Sequence, residues 1–388
     1  MATELDGAWL LIALLIALPV TFLLGWAASR FDLRQWKRAD QQAPKAYFKG
    51  LNLLLNEQTD KAIDAFIEAV QADPDTSELH FALGNLFRRR GEFERAVRVH
   101  QHLLQRADLA QSDRQRAQHA LAQDYMKAGL FDRAEEAFRA LEGTPFETEA
   151  RLALLSLAER SRDWRAAAEV AALLEKSGTG SFATRIAHYH CELSLEADER
   201  GDADSAVALL DKAQAASPQA ARPLVQRAQR LARLGQADAA WAAWGDCRQR
   251  SPEAFVRLAG EYAAAAQAAG HAEAAQQALV LLFTQHPGIA LLRALATLEG
   301  TSPGTSPRLM ALLREQPSLS AALALLDTPP ASWPDEARKS VRDAVARAAR
   351  PQQRYRCAAC GFEAQRYFWQ CPGCLGWDTF PPQQIEEL

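Results

Sequence analysis

Hydrophobic and polar positions divide the chain into three patterns. Gly7 to Ala28 is 22 residues without a charge, and at ~1.5 Å per residue a helix of that length spans a hydrocarbon core of ~30 Å. From Pro44 the pattern changes to a helical spacing that repeats itself. Gly84 lies 34 residues after Gly50, and Ala96 lies 34 after Ala62. The next unit, marked by Leu121, Tyr125, Gly129, Phe131, Ala134 and Phe138, follows at 38, and a weaker one contains Leu154, Trp164, Ala167 and Leu174. Gly201, Ala206 and Pro218 recur 34 residues on as Gly235, Ala240 and Pro252, and 35 further on as Gly270, Ala275 and Pro287. Seven helix pairs are predicted between Pro44 and Pro287. In each, a glycine such as Gly91, Gly129 or Gly201 ends the first helix where φ must be positive. The alanine lets the two helices approach, and the proline closes the second helix. Ser302 to Pro307 reads as an irregular connection, one more helix is expected between Trp333 and Arg350, and a cysteine-rich, aromatic pattern closes the chain. The segments are therefore 1–29, an apolar anchor; 30–43, a linker; 44–288, the repeats; 289–352, C-terminal helices; and 353–388, a four-cysteine module.

These positions resemble the tetratricopeptide repeat over about 245 residues, which implies an all-α superhelix with a concave face for a partner segment. Composition agrees: alanine, leucine, arginine and glutamine dominate, and only three asparagines occur. A net charge of −4, with both signs interspersed, gives no basic surface for nucleic acid. Helical spacing aims Asn85, Arg88, Arg89, Gln123 and Lys127 at the groove of the second and third units. The competing reading makes Arg88–Arg90 a solvated charge run. If the groove reading holds, charge reversal at Arg88 and Arg89 is expected to weaken partner capture without loss of helix.

The anchor carries Glu4 and Asp6 before it and Arg30, Arg34, Lys37 and Arg38 after it. By the positive-inside rule its amino terminus is outside and the rest of the chain is cytoplasmic. A cleaved signal peptide would need the opposite charge order.

Cys357-x2-Cys360-x10-Cys371-x2-Cys374 are two knuckles that can place four thiolates around one ion. Gly361 and Gly373 suit the tight turns of such knuckles. Cys191 and Cys247 read as buried apolar residues of the repeats. Tyr355, Phe362, Tyr367, Phe368, Trp369, Trp377 and Phe380 fall within 26 residues, so metal and aromatics must supply the core of so small a module. That module is expected to fold onto the helical region just before it, Trp333 to Ala349. The two knuckles resemble those of rubredoxin, although the loop between them is far shorter. A closed four-cysteine set leaves no open position for catalysis, so structural zinc is the reading, with an iron-containing redox site as the alternative. His188 and Cys191 could share an ion but read as satisfied repeat residues, and Gly178–Ala183 reads as a loop. No phosphate loop or HExxH occurs, and no enzyme activity is expected.

Anchor, repeats and knuckle pair, in this order, resemble the lipopolysaccharide assembly protein B (LapB/YciM) family over the whole chain. That resemblance implies a single-pass inner-membrane protein of Gram-negative bacteria with its amino terminus periplasmic. It implies an adaptor that brings the lipid A pathway deacetylase LpxC to the protease FtsH, under control of another inner-membrane protein. A scaffold for a different envelope complex is the alternative, and homo-oligomer formation stays open.

Overall fold

The computed structural model describes residues 48–315, 318–327 and 345–387, together with positions 17, 19–23, 25, 26 and 342. Most of the apolar run at residues 7–28, the linker before residue 44 and most of the helix expected from Trp333 lie outside the described residues. Among the described residues no helix is long and apolar enough to cross a membrane.

The chain forms two compact units, residues 1–157 and 158–388. In the first, helical residues 48–55 precede α1 (Thr59–Ala72), followed by α2 (Ser77–Arg90), α3 (Phe93–Gln105), α4 (Gln111–Ala128) and α5 (Phe131–Arg139). Helix α6 (Glu147–Ser161) runs across the boundary. The second unit holds α7 (Trp164–Lys176), α8 (Ala183–Glu199), α9 (Ala203–Ala216), α10 (Ala221–Arg233), α11 (Ala237–Arg250), α12 (Pro252–Arg257), α13 (Ala259–Ala268) and α14 (Ala272–Gln285). It continues through α15 (Ile289–Glu299), a 3-10 turn at Pro303–Thr305, α16 (Pro307–Glu315) and α17 (Leu319–Leu326). A two-stranded ribbon, β1 (Tyr355–Arg356) against β2 (Glu363–Ala364), completes it.

One local geometry makes each hairpin turn. Gly91, Gly129, Gly201, Gly235 and Gly270 have φ of 87°, 76°, 78°, 70° and 74°. The next N–H reaches back to close the helix, as Glu92 N to Phe87 O at 2.8 Å and Asp202 N to Ala197 O at 2.9 Å. The same bond forms at Gln58 N to Leu53 O and at Asp163 N to Ala158 O, both 2.9 Å. There the left-handed residues are Glu57 (φ 58°) and Arg162 (φ 59°) rather than glycine.

The recurring alanines Ala62, Ala96, Ala134, Ala167, Ala206, Ala240 and Ala275 are at most 1% exposed. Each sits on the second helix of a pair, where a longer side chain would hold the helices apart. Gly50 and Gly84 do the same from the first helix. A Cβ on them would lie 2.7 Å from the Phe66 ring and 2.5 Å from the His100 ring. In the second unit Trp244, Phe255 and Tyr262 fill the core, with the Phe255 and Tyr262 rings edge-on at 5.0 Å.

Candidate metal centre and helix-pair surface

The ribbon brings the four cysteines together by two matching turns. Cys357 N donates to Phe362 O (2.9 Å) and Gly361 N to Cys357 O (2.8 Å). In the second knuckle Cys371 N donates to Gly376 O and Leu375 N to Cys371 O, both 2.8 Å. The left-handed residue of the first turn is Gly361, at φ 77°; its counterpart in the second is Leu375, at φ 58°. Gly373, expected to serve that purpose, instead makes room: a Cβ there would sit 3.2 Å from Phe362 Cβ.

The sulfurs Cys357–Cys374 are 3.8 Å apart and Cys360–Cys371 3.6 Å, with all four within 4.8 Å of one another. A tetrahedron of ~2.3 Å metal–sulfur bonds has edges of ~3.8 Å, so the donor set fits one ion. Its electrostatics ask for one as well. Burial pushes the Cys357 thiol up, but the Thr379 hydroxyl and the N–H groups of Cys360 and Ala359 bring it down to about 6. The Phe362 N–H favours the Cys360 thiolate, yet burial and the other three sulfurs push that group up to about 12. Burial also raises Cys371. Four thiolates this close repel one another until a cation neutralises them. Cys191 and Cys247 differ: burial holds both thiols up at about 12, as inert apolar residues.

The helix expected just before the ribbon lies mostly outside the described residues, and the described contacts of the ribbon are with earlier helices. Trp377 stacks on His188 of α8 at 4.4 Å and meets Tyr189 and Trp164 edge-on at 5.7 and 6.2 Å. Its Nε1–H donates to Glu159 Oε1 (3.2 Å), which also accepts from the Tyr189 hydroxyl (2.5 Å). His188 Nε2 and Asp378 Oδ2 are 2.9 Å apart. The Arg222 guanidinium lies 5.8 Å from Trp377, and that of Arg257 lies 3.9 Å from Tyr367. Residues of α6, α7, α8, α10 and α12 thus carry the ribbon, because they offer aromatic and cationic groups to rings that the metal alone leaves bare. The tail is also tied to α17, where Ser320 bonds Glu386 and Gln353. His188 is therefore half of an interface, not merely a satisfied helix residue. Burial lowers its pKa below the ordinary value near 6.5, against the opposing pull of Asp378. Glu159, Trp164, Tyr189, Arg222 and Arg257 had no signal in the sequence beyond the ribbon's surplus of aromatics.

In the first unit, a cavity of about 490 Å³ is lined by Arg88, His119, Gln123, Lys127, Phe138 and Glu149, among others. Three of the five groove candidates meet there. Asn85 stands behind, its Oδ1 accepting from Arg88 Nη2 at 2.7 Å, while Arg89 is exposed and does not line it. Arg88 corrects the sequence expectation. Its Nη1 donates to Asp124 Oδ1 (3.0 Å) and Ala120 O (3.1 Å), and Asp124 is fully buried with His100 Nδ1 at 2.5 Å from its other oxygen. Reversing that charge strands a buried carboxylate, so the fold does not tolerate it freely.

Residues 355–382 match a family model described as the rubredoxin metal binding domain. Lipopolysaccharide assembly protein B of Escherichia coli K12 is 33% identical over 383 residues, 95% of this chain and 97% of that protein. The protein of the same name from Haemophilus influenzae is 25% identical over 391 residues, covering 96% and 98%. A solved Naa15/Naa10 complex bound to HypK-THB aligns at TM-score 0.52 and 18% identity over 81% of this chain and 48% of that one, a likeness of fold alone.

Proposed function

The chain belongs to the lipopolysaccharide assembly protein B family, and from that premise we propose that it is a non-enzymatic envelope scaffold regulating lipopolysaccharide synthesis. In this reading it brings the deacetylase LpxC to the protease FtsH at the inner membrane. The observation that carries it is the match to named relatives over 95% of the chain, with the metal ribbon included. The four-cysteine set supports a structural ion, because every ligand position is taken by protein and none remains for a substrate. Zinc is proposed over iron, with geometry and docking as its role. Gly7–Ala28 is proposed as the retained anchor, amino terminus periplasmic, and the regulator as an inner-membrane protein acting near it.

The cavity in the first unit is proposed as the place where the client is held, with Lys127 and Gln123 as its contacts. Capture from solubilised membranes tests this. The intact chain should retain LpxC and FtsH, and Lys127→Glu with Gln123→Ala should lose LpxC while keeping its helix content. Undiminished capture by that variant moves the site elsewhere. Recovery of other envelope proteins in place of both partners would instead favour a scaffold for a different complex.

A further inference from the structure

The four metal-binding sulfurs are not equivalent. Cys357 and Cys371, the first cysteine of each knuckle, are buried, whereas Cys360 and Cys374, the second of each, are exposed. The inner sulfurs are also the better covered. Cys357 has the Thr379 hydroxyl oxygen 3.2 Å away and the N–H groups of Cys360 and Ala359 directed at it, and Cys371 has those of Cys374 and Gly373. A solute in water therefore meets only the outer pair, and thiolate accessibility governs oxidation.

We propose that Cys360 and Cys374 are an oxidation site, where a hydroperoxide joins the exposed sulfurs as a disulfide, releases the ion and unlatches the ribbon from α8. One thiolate attacks the distal peroxide oxygen; the O–O bond breaks, giving a sulfenic acid and an alkoxide. The second thiolate attacks that sulfur and expels hydroxide, forming the S–S bond. Two thiolates are oxidised, the peroxide is reduced to alcohol and water, and two protons are taken up. The sulfurs start within 4.8 Å of each other and close to ~2.05 Å. Two ligands cannot hold the ion that four held. Without it the ribbon's own core of Cys357, Cys371 and Phe380 is too small to keep its fold. Trp377 then leaves Glu159 and His188. The inference rests on the ion being zinc, which has no redox step of its own.

The test uses the full-length chain. Elemental analysis before treatment checks the zinc reading; iron there overturns that reading and this one with it. Hydrogen peroxide is then added with a chromophoric chelator present. The expected result is one zinc released per disulfide, the disulfide mapped by mass spectrometry to Cys360 and Cys374, and a red shift of tryptophan emission. Reductant plus zinc should restore the starting state, and Cys191→Ser with Cys247→Ser should respond as the parent does. Zinc that stays bound at a dose oxidising the unfolded chain overturns the oxidation site alone. So does a first disulfide between Cys357 and Cys371, and release without the emission shift overturns the latch.

Discussion

Replacing Arg88 by alanine should destabilise the first unit by about 3 kcal/mol. The partner it leaves behind is Asp124, a carboxylate with no exposed surface. Breaking a buried pair from one side costs ~3–5 kcal/mol, because the remaining charge stays out of water. The lower end applies because His100 Nδ1 remains 2.5 Å from the second oxygen. Arg88→Glu should be worse, adding a like charge. Double replacement, Arg88→Ala with Asp124→Ala, should be milder than the sum of the singles, by ~2 kcal/mol within the usual range for coupled neighbours. Because two compact units need not unfold together, hydrogen exchange in α2 and α4 is the right assay. A loss of ~3 kcal/mol appears as roughly a 150-fold fall in protection, since 1.4 kcal/mol is tenfold. Lys127→Glu, at an exposed position, should stay within ~0.5 kcal/mol. If Arg88→Ala changes protection there less than ~10-fold, the buried pair is not what holds these helices. A capture defect in an Arg88 variant cannot be taken as a lost contact with a client until this is measured.

Arg162→Gly should stabilise the chain by up to ~1 kcal/mol, because a left-handed non-glycine residue costs ~1–2 kcal/mol and glycine returns part of that through unfolded-state entropy; a lower midpoint in denaturant refutes it. Gly84→Ala should destabilise by ~1–3 kcal/mol through overpacking against the buried His100 ring, and an unchanged midpoint would show that His100 can yield. His188 has a depressed pKa when docked, with Asp378, Arg222 and Glu192 around it, so the folded form binds fewer protons. Its contribution is full well above pH ~6.5 and falls as the pH drops from there toward the folded value. Tryptophan emission should report ribbon release on that limb, and His188→Gln should flatten it; an identical pH profile in the variant removes His188 from the latch.

The turns show where sequence reasoning reaches and stops. Glycine at a left-handed position is a local necessity, so Gly91, Gly129, Gly201, Gly235 and Gly270 could be read directly. Glu57 and Arg162 occupy the same geometry because the flanking pairs impose it, and nothing in either side chain announces that. Spacing aimed Arg88 at the groove, and Arg88 lines the cavity there, but its buried partner lies 36 residues on, and one helix carries no record of its neighbour. The four cysteines were legible because ligand chemistry and knuckle spacing are both local. Their orientation was not: the contact from His188 to Asp378 crosses 190 residues. Trp333 to Ala349, to which proximity in sequence points, lies mostly outside the described residues, and the aromatic and cationic groups around Trp377 lie on α7, α8 and α10.

That long return contact also sets an order of events during synthesis. Glu159 and Trp377 are separated by 218 residues, which a ribosome adds in on the order of 10–40 s. Helix pairs can close one after another as they emerge, since each is stabilised mainly by its neighbours. The Trp164, His188 and Tyr189 face has no such neighbour and stays uncovered until the last knuckle has been made and loaded. A chain cut short between Leu326 and Trp377 would therefore keep nearly all of its described helices and still display an aromatic patch. Unfinished copies would thereby expose a surface that the ribbon covers in the complete chain.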